Sequence, residues 1–230
     1  METHEVKQAQ RIQTSFINAL ERRALVWLAK RQPRWVTSDM LTVVGVIGAF
    51  VTGLGFVLTH FDIHWLWLSS LGLVVNWYGD SLDGTLARVR NSQRPLYGYY
   101  LDHTVDCINE ALMFIGAGLS PLMHLDLALL VFILYLFMTI NVSINAHLKS
   151  EFRLTYAKLG PTEFRILVVL VNTVVIVFPG LAVYRLTLFG ESCSVFDVFT
   201  LVLIGLLSII YIGTVVGDAR KYARVDPPRK

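Results

Sequence analysis

The chain has 230 residues, 54% of them apolar, with a mean hydropathy of +0.56 and a formal net charge of +3. Only 16% of the residues are charged. That excludes an ordinary soluble domain, where about a quarter are charged, and describes one all-α integral membrane domain with no soluble second domain.

Residues 1–36 read as a cytoplasmic arm. They are rich in charge and lack the short apolar core of a secretory signal peptide. Within 8–31, Ile12, Phe16, Leu20, Ala24, Trp27 and Leu28 recur at helical spacing, with Arg11, Glu21, Arg22, Arg23 and Lys30 around the remaining circumference. This predicts an amphipathic helix lying in the membrane interface. Pro33 and the capping sequence Thr37-Ser38-Asp39 then start the membrane domain, taken as 37–220.

Apolar windows place six spans near 40–60, 64–88, 98–121, 126–148, 163–183 and 196–217. The first contains Gly45, Gly48, Gly53 and Gly55, small residues that permit close helix packing. With a cytoplasmic N-terminus, the arm, the 89–97 and 149–162 loops and the 221–230 tail hold nearly every Lys and Arg, while the opposite loops hold only Arg185. This positive-inside pattern puts both termini of a multi-pass protein in the cytoplasm. The same basic residues suit anionic membrane lipids, and a nucleic-acid partner is not expected. Cys107 and Cys193 show no metal-ligand spacing and suggest no disulfide framework.

The second and third spans hold four carboxylates, in the strings Asp80-x-x-Asp83-Gly84-x-x-Ala87-Arg88 and Gly98-x-x-x-Asp102-x-x-x-Asp106. A carboxylate inside a bilayer is expensive, by about 3 kcal/mol on insertion scales and more in simulation. Nearby, Arg88 is the most obvious fixed counter-charge. Helical periodicity puts Asp80, Asp83, Gly84 and Ala87 on one face, and Gly98, Asp102 and Asp106 on another. Oxygen donors without His or Cys suit a hard cation: Mg²⁺, Mn²⁺ or Ca²⁺. The cytoplasmic ends of spans two to five are expected to surround one such cavity. Metal-assisted substitution at phosphorus, an intramembrane ion-pair network and a divalent-cation transport path are all compatible with the carboxylates alone.

The full pattern, with nine residues between Arg88 and Gly98, resembles the signature of the CDP-alcohol phosphotransferases and matches its eight fixed positions. The resemblance implies displacement of CMP from a CDP-linked donor by an alcohol acceptor. It implies Asp80, Asp83 and Asp102 as ligands of one or two Mg²⁺ or Mn²⁺ ions, and Asp106 as general base and possible second-metal ligand. It implies a CDP-donor site at Asp80, Gly84, Ala87, Arg88 and Gly98, phospholipid synthesis as the setting, and a homodimer. The chain departs from the pattern at Thr37-Ser38-Asp39, where many members carry Thr-Pro-Asn. The favoured donor is CDP-diacylglycerol with a small hydroxylated acceptor. The Asp102-His103 pair resembles the aminoalcohol branch, which uses CDP-choline or CDP-ethanolamine with diacylglycerol.

Other polar residues interrupt the apolar runs. Glu110 continues the Asp102–Asp106 stripe. Asn141, Asn145 and Lys149 form a second stripe, and Glu163 and Arg165 open the fifth span. Glu110, Asn145, Lys149, Glu163 and Arg165 are expected at the acceptor site. For Asn76, Asn141 and Asn172, interhelical hydrogen bonding is the simpler expectation.

Overall fold

The computed structural model describes residues 10–12, 18–149, 151–153, 160–188 and 190–228. Their order is β1 (Gln10–Ile12), α1 (Asn18–Arg31), α2 (Ser38–Leu58), α3 (Leu66–Val89), α4 (Pro95–Gly118), α5 (Leu125–Lys149), β2 (Glu151–Arg153), α6 (Pro161–Val177), α7 (Gly180–Val183), β3 (Arg185–Leu188), β4 (Glu191–Ser194) and α8 (Val195–Val225). The protein is mostly helical. Among the described residues, three helices are long and apolar enough to cross a membrane by length and composition: α2, α5 over Leu125–Asn145, and α8. The other expected spans correspond to α3 and α4, which carry the acidic residues, and to α6, which is only 17 residues long.

Two short strand pairs depart from the all-helical expectation. Residues 10–12 do not open the N-terminal helix; they pair in parallel with Glu151–Arg153, so backbone bonds between segments replace helical ones there. Between α7 and α8, β3 and β4 form an antiparallel hairpin that places Cys193 opposite Leu186. The fifth span ends early, at Phe178 before Pro179, because a proline disfavours helical geometry in the residue preceding it.

The N-cap of α2 is as expected: the Thr37 hydroxyl accepts a hydrogen bond from the Met40 amide at 3.2 Å. From there α2 and α3 run antiparallel with backbones in direct contact. Gly45 lies against Gly79, Gly48 against Asn76, Thr52 against Gly72 and Gly55 against Ser69. A Cβ on Gly48, Gly72 or Gly79 would overlap backbone atoms of the facing helix. Gly53 and Gly116 bring α4 equally close to α2. The four glycines of α2 are therefore used inside the chain, and carry no argument for a second copy.

Apolar clusters pin both ends of the bundle. Leu25 and Ala29 of α1 pack with Leu41, Leu82 and Leu86 at one end; Phe56, Leu66, Leu122, Val175, Ile176 and Phe196 pack at the other. The α1 helix buries Glu21, Leu25 and Ala29 against the protein and leaves Leu20, Ala24 and Trp27 exposed. Its protein-facing stripe is thus distinct from the apolar stripe expected to meet the membrane. At the far end Asp197 is buried, accepting bonds from the His124 amide and ring and from the Ser194 amide.

Gly79→Ala should lower the thermal unfolding midpoint in detergent, by the equivalent of about 1–3 kcal/mol of overpacking. Gly98→Ala, where an added Cβ meets nothing within 4 Å, should leave it unchanged. Equal midpoints for both variants would contradict the backbone contact.

Candidate active site

Helix packing brings the N-terminal ends of α2, α4 and α6 to the C-terminal end of α3. One cavity of about 1550 Å³ opens there. Asp39, Asp80, Asp83, Arg88, Arg94, Asp102, Asp106, Glu110, Glu163 and Arg165 all border it. Deeper in, its wall is mainly apolar, reaching Leu122 and Phe196 at the opposite end of the bundle.

Asp80, Asp102 and Asp106 each offer a carboxylate oxygen, and these atoms lie within 4.8 Å of one another. Asp102 and Asp106 come from successive turns of α4, and Asp80 is brought to them from α3 by helix packing. Asp83 is turned toward α2. It accepts a hydrogen bond from the Thr42 hydroxyl at 2.7 Å and one from the Gly84 amide. All four aspartates, with Thr42, Val105 and Asn109, enclose a small recess off the main cavity.

Arg165 brings a cation to this cluster from α6. Arg165 Nη2 donates to Asp80 Oδ2 at 2.7 Å, with both side chains largely buried. Arg88 borders the cavity and donates to the Thr85 hydroxyl at 3.0 Å. The guanidinium groups are 77 positions apart in the chain, so neighbouring sequence around the aspartates could not nominate Arg165 as their partner. Gly84 leaves ordinary van der Waals space beside the Arg88 guanidinium, and the space beside Gly98 is open. Ala87 also borders the cavity.

Among the residues expected at an acceptor site, Glu110, Glu163 and Arg165 border the cavity. Glu163 also accepts from the Gly160 amide and so caps α6. Asn145 is taken to α8 instead: it donates to Asp218 Oδ2 at 2.9 Å and accepts from the Tyr222 hydroxyl at 2.8 Å. Lys149 ends α5, and its side chain lies outside the described residues, as does that of His147.

Sequence reading missed Glu21, grouped there with the polar face of the N-terminal helix. Its Oε1 accepts from Trp77 Nε1 at 2.8 Å and from the Thr162 hydroxyl at 2.6 Å, tying α1 to α3 and to the start of α6. It missed Asp39–Arg94 as well, joined at 2.5 and 2.6 Å at the cavity mouth. The Asp39 carboxylate raises the Arg94 pKa by accepting that bond. Thr42 carried a faint signal, standing one turn after Asp39 on the capped end of α2.

Residues 35–215 match the CDP-alcohol phosphatidyltransferase family. The chain belongs to that family. Among curated relatives, it is 37% identical to a phosphatidylinositol phosphate synthase of Cutibacterium acnes over 86 residues, 36% of this chain and 38% of the relative. It is 28% identical to cholinephosphotransferase 1 of Gallus gallus over 182 residues, 75% of this chain and 53% of the relative. The Mus musculus cholinephosphotransferase 1 is 32% identical over 100 residues, 41% of this chain and 25% of the relative. The chain thus spans between a quarter and about half the length of these relatives. The CDP-alcohol phosphatidyltransferase match contains the whole aspartate cluster and Arg165, and begins at Trp35, just before α2.

Removing one member of a buried ion pair leaves its partner uncompensated, at about 3–5 kcal/mol. Arg165→Met should therefore lower the unfolding midpoint in metal-free detergent, and added Mg²⁺ should restore part of the loss. An unchanged midpoint would show that Arg165 does not neutralise the cluster.

Proposed function

We propose that this chain transfers a phosphatidyl group from CDP-diacylglycerol to a small hydroxylated acceptor with release of CMP, as an enzyme of phospholipid synthesis. The observation that carries this reading is the convergence of the Asp80, Asp102 and Asp106 carboxylates within 4.8 Å of one another, beside a cavity bordered by Arg88, Arg94 and Arg165. The donor set fits the ion the family implies: hard oxygens without His or Cys, in a cavity with room for a phosphate to complete the shell.

Asp80, Asp83 and Asp102 would hold one or two Mg²⁺ or Mn²⁺ ions, with Asp106 as a further ligand where a second ion binds. A bound ion would supply charge stabilisation on the donor pyrophosphate and on the departing CMP. Asp106 would take the proton of the acceptor hydroxyl, as a general base in reach of the reacting oxygen. That oxygen attacks the phosphorus bearing the diacylglycerol; the bond from this phosphorus to the CMP oxygen breaks, and CMP departs with the electron pair. Asp80, Gly84, Ala87, Arg88 and Gly98 would line the CDP site. The N-terminal ends of α2, α4 and α6 face the same space, and their dipoles favour a pyrophosphate there. Glu110, Glu163 and Arg165 would border the acceptor, with Asn145 and Lys149 further out.

The domain assignment follows the same reading: an arm over 1–36, a six-span domain over 37–220 and a basic tail over 221–230, with both termini and the site on the cytoplasmic side. A homodimer rests on the family resemblance alone.

A second reading is phosphoaminoalcohol transfer from CDP-choline or CDP-ethanolamine to diacylglycerol. It is favoured by the longer alignment with the Gallus gallus cholinephosphotransferase and by the carboxylate of Glu110, which could face a cationic head group. Divalent-cation transport finds little support, because the cavity wall beyond Glu110 is mainly apolar.

CMP release from a panel of CDP-diacylglycerol, CDP-choline and CDP-ethanolamine with alcohol acceptors, with and without EDTA, decides among these. CMP release from CDP-diacylglycerol alone, abolished by EDTA, is expected. Movement of Mn²⁺ into liposomes without CMP release from any donor would overturn the enzyme reading. Asp106→Asn should nearly abolish turnover while nucleotide binding persists, since a base acts on chemistry more than on donor affinity; wild-type turnover in that variant would remove Asp106 as base.

A further inference from the structure

Asn109 lies one turn beyond Asp106 on α4, on the face that also carries Asp102. It is 5% exposed, and its side-chain oxygen is buried without a hydrogen-bond partner. An unmatched buried acceptor costs about 1–3 kcal/mol, so its persistence in a close-packed bundle calls for a partner supplied from outside the chain. The recess it borders is the one enclosed by Asp80, Asp83, Asp102, Asp106 and Thr42.

The other buried asparagines of the bundle are differently engaged. Asn76 donates to the Gly45 carbonyl at 3.0 Å, and Asn172 to the Ser70 hydroxyl at 3.2 Å, each joining two helices. Their oxygens are also unmatched, but neither residue borders the aspartate recess. Asn109 does, and α4 cannot withdraw it. Gly53 touches the Leu112 carbonyl and Gly116 so closely that α2 holds this stretch of α4 in place.

We propose that Asn109 supplies a neutral oxygen to the divalent cation held by the aspartate cluster. This rests on the metal-dependent reading above. An amide oxygen is a hard donor of the kind that serves Mg²⁺, Mn²⁺ and Ca²⁺. It adds a ligand without adding a fifth negative charge to four carboxylates that already repel one another. The recess provides no side-chain N–H or ammonium donor among its bordering residues other than the Asn109 amide itself, so a cation is the partner that answers both the carboxylates and the orphaned oxygen.

The test uses the full chain in detergent, with Mn²⁺ affinity read from the free-ion electron paramagnetic resonance signal and from the rise in unfolding midpoint. Asn109→Leu removes the unmatched oxygen at similar volume. Its metal-free midpoint should equal or exceed wild type, while Mn²⁺ affinity falls about tenfold. Asn109→Asp should lower the metal-free midpoint and bind Mn²⁺ at least as tightly as wild type. Wild-type Mn²⁺ affinity in Asn109→Leu, or weakened affinity in Asn109→Asp, overturns the proposal and leaves the metal-dependent reading intact. If Asn109→Leu does not fold, the Asn109→Asp affinity decides alone. A wild-type chain that binds no Mn²⁺ overturns both.

Discussion

Backbone contact between α2 and α3 is the constraint from which the rest of the structure follows. Within lipid, helices gain little from apolar burial against one another, and association depends on close packing and on hydrogen bonds between helices. Glycines at 45, 48, 55, 72 and 79 let the two backbones meet with no side chain between them. That contact sets α3 in register so that Asp83 reaches Thr42 and Asp80 stands beside Gly45. The Gly53–Gly116 contact then sets α4, and with it the depth of Asp102, Asp106 and Asn109.

Placing four carboxylates in such a bundle is affordable only because their surroundings differ. Asp83 is held by a hydroxyl and an amide. Asp80 is held by a guanidinium. Asp102 and Asp106 complete a cluster whose geometry suits a hard cation. The bundle is pinned from the N-terminal side by Glu21, which joins α1, α3 and the start of α6. Because Arg165 is one helical turn from Thr162, that same contact fixes the helix that delivers the counter-charge to Asp80. The α1 helix is thereby part of the frame of the site as well as an amphipathic segment with an exposed apolar stripe.

Much of the site was legible in the chain. The two-by-two arrangement of aspartates follows from helical periodicity, and the small residues at 84, 87 and 98 mark the open side of their helices. Helix positions were legible to within a few residues wherever apolar length dominated. The exceptions have local causes. Pro179 shortens α6, β1 takes residues 10–12 out of the N-terminal helix, and β3 with β4 forms a hairpin too short and polar to leave a periodic signal. The stripe on α5 could not show that Asn145 bonds to α8, because its partner Asp218 lies far along the chain.

Sequence alone determined the reaction family and the identity of the carboxylates, because spacing along a helix is a local property that a pattern of eight residues expresses completely. Tertiary structure decided which carboxylates meet, which cation answers them and which neutral groups join them. Arg165, Glu21, Thr42 and Asn109 enter the site through contacts between helices, and such contacts depend on the register of glycine-packed backbones rather than on any single helix's period.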